Sequence, residues 1–388
     1  MDAARLVDEA CEQAGLDDFG ADGWREGLDR FVAAVDDEAD LTELGEIAIG
    51  AQITTNLTNR LRVTAWLAEH PEALDSGVER PIIVLGLPRT GTTLLSELLH
   101  RDPANRSLLR WEALDSVPPP QAGDLATDPR VEAARESAAA MDLLNPGFKA
   151  IHYEAPDGPT EDVAVFSQDF KSQLWCVVAN AGAYDEWLLD CDQASAYDYH
   201  RRVLALLQSS APGRWSLKTP QHCLALDQAI AHYPDARLVM THRDPVTVVA
   251  SVCSLVRSLS GTFSDVDHGE AINERWLHML EVMTDRVIDW RDAHGDDRFV
   301  DIGYRELVTD PVAALGRVYE HFGEELSPHA EGSMRRYMTE HPSGEHGRHS
   351  YGLDELGLDG GEIGERFSRY RERFAGELEG AGAGQVVR

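Results

Sequence analysis

The stretch from Pro81 to His100 constrains the fold more than any other part of the chain. PIIVLGL (81–87) is an unbroken apolar run with β-branched residues, the pattern of a strand buried on both faces of a parallel sheet. It leads into GLPRTGTT (86–93) and then the helical stretch TTLLSELLH (92–100). A glycine-containing turn that opens a helix presents main-chain N–H groups and the positive end of the helix dipole to an anion. The spacing Gly86, four residues, Gly91, Thr92, Thr93 fits the nucleoside triphosphate pattern G-x-x-x-x-G-K-[ST], except that Thr92 stands where the lysine belongs. The amides of Thr90, Gly91, Thr92 and Thr93 therefore keep the capacity to hold a phosphate. The side chain that reaches β- and γ-phosphates is missing, which argues against transfer of a γ-phosphoryl group. Arg89 offers a cation of another kind inside the loop. The plainer alternative is a strand-to-helix turn whose two glycines serve sterics alone.

Strand-like and helical segments go on alternating. WSLKT (215–219) is followed by a helical run from Gln221 to Pro234, and RLVMTH (237–242) by DPVTVVASVCSLVRSL, with Asp244 as N-cap and Pro245 at the first helical position. FVDIGY (299–304) reads as a further strand. Such alternation predicts right-handed βαβ units and an α/β fold, a P-loop-like three-layer αβα arrangement around a parallel sheet. Residues 1–78 read as helices packed on this core, and 79–388 as the α/β domain. The Pro- and Gly-rich section 112–160 reads as an insertion with one helix near 129–143, and 341–362 as a long loop before a last amphipathic helix.

Charge restricts the ligands. With 35 Lys and Arg against 68 Asp and Glu the net charge is −33, so the overall field repels nucleic acid and anionic membrane surfaces. Any anionic ligand needs a local basic site. Lysine occurs only as Lys149, Lys171 and Lys218. The five cysteines show no C-x-x-C spacing, which fits reduced thiols in the cytoplasm. The N-terminus does not look like a secretory signal, and no apolar run is long enough to span a membrane.

Two further constellations lie at strand ends, where ligands gather in open α/β sheets. In SLKTPQH, Lys218 can stabilise developing charge and His222 can act as a general base. Alternatively, the lysine merely ends a strand and the histidine caps or packs. In THRDPVTVVAS, Arg243 precedes Ser251 by eight residues, and together they can grip a second phosphate; taken alone, Arg243 can equally pair with a carboxylate.

The chain resembles the sulfotransferases that use 3′-phosphoadenosine 5′-phosphosulfate (PAPS), in particular the bacterial branch with an arginine in the phosphate loop. The residues that carry the resemblance are Gly86–Thr93 and the Arg243 and Ser251 pair, within a likeness spanning about 81–375. The resemblance implies that the loop binds the 5′-phosphosulfate and that Arg243 with Ser251 binds the 3′-phosphate. Arg89 takes the position of a lysine that many members use beside the leaving group, and Lys218 looks like the family's second lysine. His222 is implied as the base, although it follows Lys218 by four residues where animal cytosolic members have two; Glu161 is the reserve. Arg348 and His349, in GEHGRHSYG, would complete the 3′-phosphate pocket; Trp111 is the candidate for stacking on adenine, with a buried core tryptophan as the equal alternative. His341, His346 and His349 lack a thiolate- or carboxylate-framed metal motif, and the family chemistry implies no metal.

The expectation is in-line sulfuryl transfer from PAPS to the hydroxyl of a small molecule, lipid or glycolipid. A small-molecule or nucleotide kinase with a degenerate loop and a non-catalytic nucleotide-binding module are the alternatives. The acceptor and the oligomeric state, a homodimer included, stay open.

Overall fold

The computed structural model describes residues 1–146, 148–151, 153–342 and 352–378. Its centre is a five-stranded, wholly parallel sheet: β1 (Ile82–Gly86), β2 (Asn105–Ser107), β3 (Arg214–Lys218), β4 (Arg237–His242) and β5 (Phe299–Gly303). The order is β2-β3-β1-β4-β5, so β1 lies in the middle, with Val84 opposite Lys218 on one side and Val239 on the other. Every residue of β1 is buried. Alternation along the strand explains its uninterrupted apolar sequence: Ile83 and Leu85 face one hydrophobic cluster, and Ile82 and Val84 face another.

The first cluster is shared with the N-terminal helices α1 (Ala3–Ala14), α2 (Gly23–Glu38) and α3 (Glu43–Glu69). Leu6, Trp24, Leu28, Phe31, Leu57 and Leu61 all belong to it. α1 and α2 each bury an apolar stripe, and α3 is buried almost all round between Ile53 and Leu61; full burial of a leucine or phenylalanine contributes about 1.5–3 kcal/mol. The second cluster is made by α4 (Thr92–His100) and the helices Pro311–His321 and Pro328–Glu340, through Leu95, Leu98, Leu315 and Met334. Helices thus cover both faces of the sheet.

The Arg130–Leu144 helix occupies the place expected within 112–160. Between 163 and 208 the chain is largely helical, ending in Ala194–Gln208, which carries Tyr197 and His200 into the core. Part of the expected late loop is helical as Leu353–Leu356 and Gly360–Arg366. The helix Pro245–Ser260 starts as its sequence suggests, with the Asp244 carboxylate accepting from the Thr247 amide at 3.3 Å.

Candidate active site

The C-terminal ends of β1, β3 and β4 converge on the loop Gly86–Thr93. Two of its residues must be glycine. Gly86 has φ +132° and a Cβ there would stand 2.5 Å from the Thr241 carbonyl oxygen; Gly91 has φ +97° and its Cβ would stand 2.8 Å from Leu307. Thr90 is buried, and its hydroxyl donates to the Leu87 carbonyl oxygen and meets the Thr241 hydroxyl, both at 2.6 Å. These bonds tie the loop to β4. Gly91 is the N-cap of α4 and has no side chain to cap it, and the first amides of a helix have no partner within it. A glycine-containing turn of this form at a helix N-terminus is suited to an oxyanion.

Arg89 has a left-handed backbone, φ +69°, a conformation that a non-glycine residue adopts at a cost of about 1 kcal/mol or more. From there its Nε donates to Ser251 Oγ at 3.1 Å. Arg243 closes the arrangement: its guanidinium donates to the Arg89 carbonyl oxygen at 2.8 Å and lies 4.1 Å from the centre of the Tyr304 ring. The loop and the Arg243–Ser251 pair are thus one cluster, joined side chain to side chain and side chain to main chain.

Beneath Arg243, the adjoining His242 is buried. Its Nε2 contacts Asp301 at 2.8 Å and its Nδ1 contacts the Tyr370 hydroxyl at 3.0 Å. Arg291 pairs twice with Asp301 at 2.8 Å. Burial opposes the charge of Asp301, but the bonds from Arg291 and His242 prevail and hold its carboxyl below the usual range. Sequence reading missed Tyr304, Thr241 and this strut. The charged residue amid FVDIGY was the available signal.

On the β3 side, Lys218 is buried and its ammonium donates to Glu161 Oε1 at 3.0 Å. Burial works against its charge, yet Glu161, Glu154 and Asp162 together raise its pKa. The Glu161 side chain keeps 20% of its exposure. It is anchored on both flanks, because the Thr160 amide donates to Leu108 O at 2.9 Å and the Asp162 amide to Lys218 O at 3.0 Å.

His222 departs from its expected role. It is fully buried, with Nε2 against Asp162 Oδ2 at 2.9 Å and Nδ1 against the Tyr197 hydroxyl at 2.8 Å. Burial lowers its pKa in spite of Asp162. A ring with both nitrogens engaged in the core does not face an acceptor. Trp111 is corrected for a similar reason: it is buried with Leu109, Val131 and Ala134, and the Arg130 guanidinium covers its ring at 4.5 Å. Arg348, His349 and His346 lie outside the described residues. Among the described residues no group of three or more His, Cys, Asp or Glu side chains is arranged to hold a metal ion.

The parallel sheet brings a lysine-free glycine loop and a neighbouring arginine–serine pair to one edge, the crevice where ligands bind in open α/β folds. Residues 81–328 match the family model described as Sulfotransferase family, and the chain belongs to that family. In structure it is similar to sulfotransferase STF9 from Mycobacterium avium, at 36% identity and TM-score 0.90, over 97% of this chain and 98% of the other. It is also similar to STF1 from Mycobacterium tuberculosis H37Rv, at 32% identity and TM-score 0.85, over 95% and 99% of the two chains. A curated relative from Mycobacterium bovis, omega-hydroxy-beta-dihydromenaquinone-9 sulfotransferase Stf3, is 24% identical over 75% of this chain and 74% of its own length.

Proposed function

We propose that this sulfotransferase draws its sulfuryl group from PAPS and passes it in line to an acceptor hydroxyl. The observation that carries this reading is the junction of Arg89 with both Ser251 and Arg243. A ligand with anionic groups at its 5′ and 3′ positions suits such a double site, while a nucleoside triphosphate would lack the usual lysine. The loop amides and Arg89 take the 5′-phosphosulfate, and Arg243 with Ser251 takes the 3′-phosphate.

In the reaction the acceptor oxygen bonds to sulfur as the bond from sulfur to the 5′-phosphate oxygen breaks, leaving 3′-phosphoadenosine 5′-phosphate. Arg89 acts by charge alone, because a guanidinium does not give up its proton in proteins. The Lys218 ammonium offsets the charge that develops on the transferring oxygens. Glu161, partly exposed beside Lys218, receives the acceptor proton. Most of the work is positioning and electrostatics.

Stf3 is named for a lipid alcohol, which supports a lipid hydroxyl as the acceptor class within the wider set of small molecules and glycolipids. No described helix is long and apolar enough to cross a membrane. The five cysteines are free thiols, which suits the cytoplasm. The test is release of 3′-phosphoadenosine 5′-phosphate from PAPS against a panel of primary alcohols and phenols, with ATP and Mg²⁺ in parallel. Turnover with PAPS alone supports the reading, and turnover with ATP alone assigns the chain to phosphoryl transfer instead.

A further inference from the structure

Behind Glu161 lies a polar network that the reaction above leaves unused. Asp162, His200, His222, Tyr197 and Tyr233 are all fully buried. Asp162 Oδ2 takes His222 Nε2 at 2.9 Å, and Asp162 Oδ1 faces His200 Nε2 at 3.5 Å. The opposite nitrogen of each ring meets a tyrosine hydroxyl: His222 Nδ1 with Tyr197 at 2.8 Å, His200 Nδ1 with Tyr233 at 2.7 Å. For His222 a neutral imidazole with its proton on Nε2 satisfies both contacts, with Tyr197 donating to Nδ1, whereas His200 Nε2 and Asp162 Oδ1 face each other without a hydrogen bond. Phe166 packs against three of these rings, at centroid distances of 5.0 Å to Tyr197, 4.9 Å to His200 and 5.9 Å to His222.

Such a network is an expensive way to fill a core. A buried carboxylate without a full cation loses hydration that apolar residues of similar volume would never have had. Desolvation opposes the Asp162 charge, but His200 and His222 hold its carboxyl below the usual range. What the network secures is the next residue. The Asp162 amide is bonded to Lys218 O, and Glu161 is bonded to the Lys218 ammonium, so the two residues that face the transfer are pinned to one another through Asp162. Its two histidine partners come from separate elements, the helix Ala194–Gln208 and the turn Pro220–Leu224.

We infer that Asp162, held by His222 and faced by His200, is a positioning residue that sets the Glu161–Lys218 pair in the geometry of transfer. This inference rests on the proposed role of Glu161. It also gives His222 a function without proton transfer to substrate: the ring orients Asp162.

The test compares D162N, H222L, H222Q, Y197F and E161Q. Turnover is read as 3′-phosphoadenosine 5′-phosphate released from PAPS, with water or the alcohol and phenol panel as acceptor, beside calorimetric affinity for that nucleotide and circular dichroism. D162N and H222L are expected to lower kcat at least tenfold while nucleotide affinity stays within about twofold. H222Q, whose amide can still donate to Asp162, should recover kcat to within about threefold of the wild type, an outcome that a proton-accepting histidine forbids. Should D162N or H222L not fold, Y197F removes a single hydroxyl and is expected to lower kcat about threefold to fivefold. Normal kcat in D162N, or in Y197F where it is the variant available, overturns the inference, as does an H222Q as impaired as H222L. If E161Q keeps full turnover, the role of Glu161 is what fails; if E161Q is inactive and D162N normal, only the positioning inference falls.

Discussion

Arg89 and Ser251 are 162 residues apart in sequence and share a hydrogen bond of 3.1 Å. That bond joins two sequence motifs into one cluster, and Arg243 reinforces it by holding the Arg89 carbonyl oxygen. Removing Arg243 deletes a charge-assisted contact, with an expected loss of about 1.5–3 kcal/mol, or roughly 10- to 150-fold in affinity. R243A should therefore bind 3′-phosphoadenosine 5′-phosphate that much more weakly by calorimetry, and S251A should show a smaller loss in the same direction. Unchanged affinity in R243A would remove it from the nucleotide site.

The loop glycines permit no side chain. In G86A the new Cβ meets main-chain oxygen rather than a flexible side-chain tip, so the strand β1 or β4 must shift. Overpacking of this kind costs about 1–3 kcal/mol. Thermal melts should fall accordingly and nucleotide binding should be lost, whereas G316A, at a position where no atom lies within 4 Å, should leave both intact.

In the proposed reaction Lys218 and Glu161 act on the chemical step. K218A and E161Q are each expected to lower kcat by about 100-fold or more, in line with the loss of an electrostatic stabiliser or a general base, and to leave nucleotide affinity within a few-fold. Steady-state kinetics beside calorimetry separates the two effects. A proportional loss of affinity would reassign either residue to binding.

Stability should decline in mild acid. Burial, aided by Arg101 and Arg106, pushes the His100 pKa from 6.5 down to about 4. Between those values the unfolded chain takes up a proton that the folded chain refuses, so stability is lost as pH falls through the window, by about 1–3 kcal/mol. The lowered pKa of His222 acts in the same direction. Urea midpoints at pH 7 and pH 4.5 should show the drop, and H100N should reduce it. An equal drop in H100N would show that His100 contributes nothing to it.

What the sequence reveals depends on which forces are local. Strands β1, β4 and β5 are legible because burial on both faces favours apolar runs, β3 (RWSLK) only because a helical run follows it in the strand–helix alternation, and the helix after Asp244 because its cap is a sequence neighbour. β2 is not: Asn105, Arg106 and Ser107 form a strand by pairing with Arg214, Trp215 and Ser216 of β3. Arg214 donates to Asn105 Oδ1 at 2.9 Å, and Arg106 pairs with Glu112 at 3.0 Å. In the site, the loop and the Arg243–Ser251 interval are read directly. Tyr304, the first residue of the helix after β5, joins them by folding alone. His222 illustrates the opposite failure, since a histidine four residues beyond Lys218 looks like a base until burial and two filled nitrogens show which way it points. A five-residue 3₁₀ turn, Pro220–Leu224, has too short a period to disclose its inner face.

Calorimetry with a pair of nucleotides reaches the centre of the account. Because Arg243 and Ser251 are held to take a 3′-phosphate in the same cluster that takes the 5′ group, 3′-phosphoadenosine 5′-phosphate should bind at least tenfold more tightly than adenosine 5′-monophosphate, and R243A should erase most of that preference. Equal affinity of the wild-type protein for the two nucleotides would contradict it.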